Sequence, residues 1–228
     1  MIRFYSDKKS LFVFLYFLIS ILEISAEYFE NSTVIWLTKP LILPILLLYY
    51  LQRTSNRALF YTLALGVNWL ANIAFILKSE WTTFCALLLF VLHRVFVLLQ
   101  VAKFERKRGN GLLPVLFGSA PFMILFLSVI NLSFEAIVVP DLYILLLQSI
   151  LMSIFGGFSF ASFYIVGDKA SKMLFMSSLY FALNLFVLGV KMYYLDVHIM
   201  KPLSMLLFVF AHFFLVKYVL LMEEEFKK

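Results

Sequence analysis

Ionisable and amide side chains inside long apolar runs are the residues of this sequence that could do chemistry. Because the core of a bilayer offers no water, such side chains face the interior of a helix bundle or a cavity. The candidate site residues are Glu23, Glu27, Lys39, Asn68, Asn72, His93, Arg94, Gln148, Asn184 and His212. Carboxylates and histidines in this set could transfer protons, and the cations could hold an anion.

Spacing and depth suggest that these candidates share one site. Glu23 and Glu27 are four residues apart, as are Asn68 and Asn72, so each pair lies on one helical face. At 1.5 Å per residue, one group falls in the half of the membrane away from the cytoplasm: Glu23, Glu27, Lys39, Asn72, Gln148 and Lys191. Arg94, Asn184 and His212 fall near the middle. We therefore expect a polar cavity that opens outward.

Arg94 carries the sharpest expectation. A guanidinium near the middle of a bilayer is costly, so it should pair with a carboxylate or a phosphate. Lys39 and Lys191 could instead extend to the lipid headgroups. Asn68 and Asn72 could simply form hydrogen bonds across helices. The sequence leaves these alternatives open for the two lysines and the two asparagines. It also leaves open that His93 is an interior histidine with satisfied hydrogen bonds.

Two further polar segments favour structural interpretations. The small-residue face of Ser149, Ser153, Gly156 and Gly157 is typical of a close helix–helix contact and less so of a ligand surface. The acidic segment at residues 223–225 is expected to be a solvated helix end.

Composition defines the elements that position these residues. Of 228 residues, 64% are hydrophobic and 14% are charged, whereas a soluble domain has about 25% charged residues. Runs of membrane-spanning length predict an all-α bundle in a single membrane domain, residues 1–228. The eight predicted spans lie near 9–28, 34–51, 58–77, 81–102, 112–131, 141–164, 172–192 and 200–221.

The distribution of lysine and arginine predicts the orientation. Thirteen fall on one side of the predicted spans: Arg3, Lys8, Lys9, Arg53, Arg57, Lys103, Arg106, Lys107, Arg108, Lys169, Lys172, Lys227 and Lys228. Four fall on the other: Lys39, Lys78, Lys191 and Lys201. Both termini are therefore expected in the cytoplasm, which fits a bacterial inner or plasma membrane. The N-terminal segment could also be interpreted as a signal peptide, although Glu23 and Glu27 favour a retained helix.

Several classes of function are disfavoured. The net charge of +6 comes from short basic stretches between apolar runs, which does not predict nucleic-acid binding. Cys85 is the only cysteine, so neither a disulfide framework nor a cysteine-rich metal site is expected. No metal or other cofactor is predicted, and the oligomeric state cannot be inferred.

Local sequence resembles the YhhN family, which includes the lysoplasmalogenases. The resemblance is carried by Ala26-Glu27 and by Thr-Lys-Pro-Leu-Ile-Leu-Pro at residues 38–44. Asn-Trp-Leu-Ala-Asn at 68–72, Glu80-Trp81 and Phe-Val-Leu-His-Arg at 90–94 follow at similar distances, and the eight-span layout agrees. This resemblance implies that the partner is a membrane lipid and that the reaction is hydrolysis of the vinyl ether bond of a lysoplasmalogen.

The chain departs from the family at the expected acids. Asn72 and Asn184 stand where the family has aspartates, and an amide cannot protonate carbon or act as a base. The resemblance therefore places Glu27, Asn72 and Asn184 at the catalytic positions, with Glu27 or Glu23 left to supply a carboxylate. The remaining candidates would bind substrate. Two alternatives stay open, a non-catalytic lipid-binding or lipid-sensing protein and, less favoured for want of an internal repeat, a small-solute transporter.

Overall fold

The computed structural model describes residues 2–54, 57–77, 79–109, 111–135, 137 and 139–227, with no description of the side chains of residues 2–10 and 133. Lys78 and Lys228, used in the charge count, lie outside the described residues. The helices are α1 (Ile2–Tyr28), α2 (Ser32–Arg53), α3 (Leu59–Ile76), α4 (Glu80–Lys107), α5 (Leu112–Ser133), α6 (Val139–Ile165), α7 (Lys169–Tyr193) and α8 (Met200–Glu225).

Within the described ranges, eight helices are long and apolar enough to cross a membrane. The outer surface is apolar as well, since Leu112, Leu116 and Phe117 of α5 are all strongly exposed. A soluble protein does not present such a surface, whereas lipid-facing helices do. The predicted all-α bundle of eight spans is therefore confirmed, and the side on which the termini lie stays a prediction.

Helix packing forms a ring. Helix α1 packs against α2 and α8, and the contacts continue from α2 to α3, α3 to α4, α4 to α6, α6 to α7 and α7 to α8. Helix α5 lies outside this ring, against α6 and α7. We call the end with the α1–α2 and α7–α8 loops the mouth end, and the opposite end the terminal end, because α1 begins and α8 ends there.

The close contact of α5 with α6 depends on glycine. A Cβ atom at Gly157 would overlap the Ser119 hydroxyl and the Val115 carbonyl oxygen, and one at Gly156 would overlap the Phe122 ring. Ser153 satisfies its hydroxyl within α6, by donating to the Ser149 carbonyl oxygen at 2.8 Å. The small-residue face is therefore a helix–helix contact, as the sequence predicted.

Two prolines in α2 lead to a hydrogen bond between α2 and α3. Pro44 has no N–H group, so the Pro40 carbonyl oxygen loses its normal helical donor. The indole N–H of Trp69 on α3 donates to this oxygen at 2.9 Å. Proline in α2 thus exposes a backbone acceptor, and the neighbouring helix satisfies it.

The acidic segment at the terminal end is not a simple solvated helix end. Glu223 is buried and accepts hydrogen bonds from the Tyr50 hydroxyl at 2.5 Å and the Ala58 N–H at 3.0 Å. Glu225 pairs with Arg108. The expectation was wrong for Glu223, because α8 extends to the loop before α3, where donors are available, whereas Glu224 and Glu225 are exposed.

Candidate functional site

A cavity of about 760 Å³ lies inside the helix ring and reaches the mouth end. Its lining comes from the end of α1 and from α2, α3, α4, α6, α7 and α8, while α5 contributes none of the lining residues. This volume falls within the usual range for sites that bind small organic molecules. Asn68, His93 and Arg94, near the middle of α3 and α4, form its polar floor, and apolar side chains cover much of the wall.

The cavity brings together most of the candidate residues. Eight of them line it: Glu27, Lys39, Asn68, Asn72, His93, Arg94, Gln148 and Asn184. Glu23 and His212 are not among the lining residues, but each contacts one of them. The sequence-based expectation of one shared polar cavity therefore agrees with the geometry, whereas the roles assigned to these residues stay predictions.

Lys39 organises the two carboxylates near the mouth. Its Nζ lies 2.5 Å from Glu27 Oε1 and 3.5 Å from Glu23 Oε1. Glu23 also accepts a hydrogen bond from the Thr38 hydroxyl. One lysine thus pairs with both carboxylates that the sequence offered as acids.

Further ion pairs lie around the mouth. Lys201 Nζ is 2.6 Å from Glu30 Oε1, and Lys191 Nζ is 3.5 Å from Asp196 Oδ1. Sequence reasoning missed Glu30, Asp196 and Lys201 as site residues because they lie at helix ends, where charged side chains are common. Their placement shows that the mouth carries charges of both signs.

The hydrogen bonds of Asn68 and Asn72 on α3 determine which nitrogen of His212 carries the proton. The Asn72 amide nitrogen donates to the Asn68 backbone carbonyl at 2.8 Å and approaches the Asn68 side-chain oxygen at 3.2 Å. The Asn68 amide nitrogen is then the donor to His212 Nε2, at 2.7 Å. His212 therefore carries its proton on Nδ1, which is enclosed and has no hydrogen-bond partner.

His93 presents an acceptor in this site. Its Nδ1 lies 3.0 Å from the Ala64 carbonyl oxygen, which can only accept, so Nδ1 carries the proton. Nε2 is left with a lone pair and, within the described part of the chain, no hydrogen-bond partner. The His93 and His212 ring centroids are 5.3 Å apart. His93 is thus both an interior histidine with a satisfied N–H and a lining residue with a free acceptor.

Arg94 has no ion-pair partner among the described residues. Its Nη1 contacts the Met152 sulfur, and its Cζ lies 5.8 Å from the centroid of the Phe181 ring. Nε is enclosed without a hydrogen-bond partner, and no carboxylate in the described part of the chain forms an ion pair with the guanidinium. Among the described residues the carboxylate alternative is therefore not met, because the glutamates of the site are held by Lys39 nearer the mouth, and pairing with a phosphate stays a prediction.

Two amides lie one helical turn nearer the mouth than the contacts of Arg94. Gln148 precedes Met152 by four residues on α6, and Asn184 follows Phe181 by three on α7. Gln148 donates to the Leu87 carbonyl oxygen at 3.4 Å. The Asn184 side-chain oxygen accepts from the Ser204 hydroxyl at 2.6 Å, which leaves its amide nitrogen available to the cavity.

The described residues contain no cluster of three or more histidine, cysteine, aspartate or glutamate side chains that could hold a metal ion. No family model, curated protein or solved structure matches this chain. The interpretation of the site therefore depends on its own geometry, and the resemblance to the YhhN family stays a prediction.

Proposed function

We propose that this chain is a YhhN-like integral membrane protein that binds a single-chain phospholipid of the lysophospholipid class in its cavity. The observation that carries the proposal is the combination, in one cavity, of a polar floor at mid-depth with an apolar wall that includes Phe75, Ile76, Phe90, Leu188 and Met205. A purely polar solute would leave that wall unpartnered, and a hydrocarbon would leave the floor unpartnered.

The placement of the resembling segments supports this proposal. Glu27, Lys39, Asn72 and Asn184 come from four different helices and line the same cavity. Segments that share a family's site are expected to converge in this way, whereas chance similarity carries no such requirement. The lysine bias further favours a bacterial inner membrane, with the mouth end facing away from the cytoplasm.

Hydrolysis of a vinyl ether bond is the second candidate function. In that reaction, an acid protonates carbon, a negative charge stabilises the oxocarbenium ion, and water adds after giving up a proton. Glu27 lines the cavity and could supply the charge or accept the proton. Glu27 is paired with Lys39, an arrangement that suits a charge-stabilising or proton-accepting group better than an acid, and Asn72 and Asn184 cannot donate a proton to carbon. Binding is therefore the better supported function.

Binding can be tested with purified protein in a non-ionic detergent. We expect a lysophospholipid to raise the unfolding temperature of the wild type, because a ligand that binds only the folded state stabilises it. Met205→Trp should abolish the shift by filling the cavity. Leu116→Trp, which places the same bulk on the lipid-facing surface of α5, should leave it intact. An unchanged wild-type melting temperature across a panel of lysolipids would contradict the proposal.

Hydrolysis needs its own assay. If the second candidate is right, the wild type releases a fatty aldehyde from a lysoplasmalogen and Glu27→Gln does not. Glu224→Gln makes the same chemical change at an exposed position at the terminal end and should retain activity. Absence of aldehyde from folded wild-type protein that still binds the lipid would exclude hydrolysis and leave the binding function standing.

A further inference from the structure

We propose that the floor of the cavity is a site for a terminal oxyanion held by Arg94, so that the lipid binds with its charged end inward. The preferred ligands would then be single-chain lipids with an uncapped phosphate or carboxylate, ahead of lipids with a zwitterionic headgroup. This inference rests on the proposed function, because it assigns the chemistry of the ligand that occupies the same cavity.

Arg94 is the residue of the floor that could hold an anion. Among the described residues, its guanidinium has only a thioether sulfur and an aromatic ring as partners, and Nε has no hydrogen-bond partner. A thioether is a weak acceptor, and a ring does not neutralise the charge. An uncompensated cation at this depth is costly. Oxyanions bind guanidinium through two parallel hydrogen bonds, so a ligand of this class supplies what the protein lacks.

Two amide side chains lie close to the groups that Arg94 contacts. Gln148 and Asn184 lie one turn nearer the mouth than Met152 and Phe181, the two residues that Arg94 contacts. Ser204 occupies the side-chain oxygen of Asn184, so the amide nitrogen is the group left to donate. An anion in front of Arg94 would therefore meet a second donor, and a phosphate hydroxyl could donate to His93 Nε2.

The charges that line the cavity are distributed differently at its mouth and at its floor. The carboxylates that line the cavity already have partners near the mouth, in the pairs Glu27–Lys39, Glu30–Lys201, Asp196–Lys191 and Asp141–Tyr193. Within the described part of the chain, the floor carries one cation and no carboxylate. An anionic group neutralises this charge. A choline or ethanolamine group carried inward would add a second cation with no carboxylate to receive it.

The test compares four oleoyl ligands and inorganic phosphate on the same protein. The ligands are lysophosphatidate, oleate, lysophosphatidylcholine and monooleoylglycerol, and affinity is measured by native mass spectrometry in non-ionic detergent. We expect the two anionic lipids to bind at least about tenfold more tightly than the other two, a difference typical of one charge-assisted hydrogen-bonded pair. Lysophosphatidate should also bind more tightly than phosphate, because its chain contacts the apolar wall.

Substitutions of Arg94 locate the preference. Arg94→Gln should remove it, and Arg94→Lys should retain part of it because the charge remains. Arg53→Gln makes the same change at an exposed arginine near the terminal end and should leave it intact. If Arg94→Gln does not fold, the wild-type order of affinities and the Arg94→Lys variant still decide the question.

The outcomes separate this inference from the proposed function. Equal affinity of the wild type for all four lipids would overturn the oxyanion site and leave lipid binding standing. Equal affinity for phosphate and lysophosphatidate would assign the site to a free anion and overturn the inward lipid orientation. Failure of every lipid to bind would overturn the proposed function together with this inference.

Discussion

Lys39 is the residue that holds the mouth of the cavity together. It lies within ion-pair distance of both Glu23 and Glu27, and Glu23 is fully buried. Removing one partner of a buried ion pair leaves the other charge without compensation, which costs more than the pair contributes. Lys39 therefore has a structural role in addition to its place in the cavity lining.

We expect Lys39→Met to lower the free energy of unfolding by about 3–5 kcal/mol, the usual cost of leaving a buried charge unpaired. Adding Glu23→Gln should restore part of this loss, because the substitution removes the stranded charge. Thermal unfolding in detergent measures both effects. Lys191→Met is the control, since its partner Asp196 is 70% exposed and the change should cost less than about 1 kcal/mol. Equal losses from the two lysine variants would contradict this role.

The residue types and spacings predicted much of the site, although not its pairings. The four-residue interval between Glu23 and Glu27 placed both on one face, and the structure shows both beside Lys39. The partner of Arg94 could not be predicted in this way. Ion pairing depends on how far each helix is rotated about its axis, and apolar periodicity defines that rotation only coarsely. From the sequence alone, a carboxylate that lies one turn away on another helix therefore cannot be distinguished from one in contact with Arg94.

At the scale of elements, the α5–α6 contact depends on two glycines. We expect Gly157→Ala to destabilise the protein by about 1–3 kcal/mol, because its Cβ would overlap α5 backbone and side-chain atoms. Gly66→Ala is the matched control, since nothing lies within 4 Å of a Cβ there. Alanine should stabilise α3 at that position by about 0.5–1 kcal/mol. Unfolding in detergent distinguishes the two, and a neutral Gly157→Ala would count against the contact.

Arg108, which follows the last residue of α4, links α4 to α7 and α8 at the terminal end. It pairs with Asp168, which precedes α7, at 2.8 Å and also with Glu225 of α8. Burial acts to raise the pKa of Asp168, but hydrogen bonds from Ser171 and Arg108 outweigh it and hold the pKa below its ordinary value of 3.8. A lowered carboxyl pKa contributes stability that is present above the ordinary value and is lost as pH falls through the folded-state value.

We therefore expect Asp168→Asn to destabilise the protein by a constant amount between pH 8 and about pH 5. The difference from the wild type should shrink only as pH falls below the ordinary carboxyl pKa and through the lower folded-state pKa, where Asp168 becomes protonated in the folded protein as well. Melting curves across this pH range measure it. A difference that disappears between pH 7 and pH 5 would show that another group, and not this carboxylate, is responsible.

Helix number was predictable because membrane-spanning length and apolarity are local properties. The predicted span near 141–164 agrees closely with α6, Val139–Ile165. Helix α4 continues to Lys107, about five residues past the predicted end near 102. Its last turn is charged, so hydropathy ends before the helix does. The caps at Asn31, Ser79 and Asp168 explain where α2, α4 and α7 begin.

For the whole molecule, the unequal distribution of lysine and arginine predicts that the mouth end faces away from the cytoplasm. In a Cys85→Ser background, Glu30→Cys should react with a membrane-impermeant maleimide in intact cells. Lys169→Cys, at the terminal end, should react only after permeabilisation. The reverse pattern of labelling would invert the proposed orientation.

The arrangement of the ring could not be predicted from the sequence. Helices α3 and α4 are consecutive and adjacent, as expected for short connections, but α4 packs next against α6 and α5 lies outside. That exclusion follows from the close glycine contact with α6, which holds α5 on the outer face of the ring. The cavity depends on this arrangement, because seven helices enclose it and the eighth does not reach it.

Photocrosslinking of a lysophosphatidate that carries a diazirine on its acyl chain tests the central claim most directly. The account predicts labelled peptides from α3, α4, α7 and α8 that include cavity-lining residues such as Phe75 and Phe90. Excess unlabelled lysophosphatidate should remove this labelling, and Met205→Trp should prevent it. Labelling confined to lipid-facing residues such as Leu116 and Phe117 of α5, without displacement by excess ligand, would contradict the account.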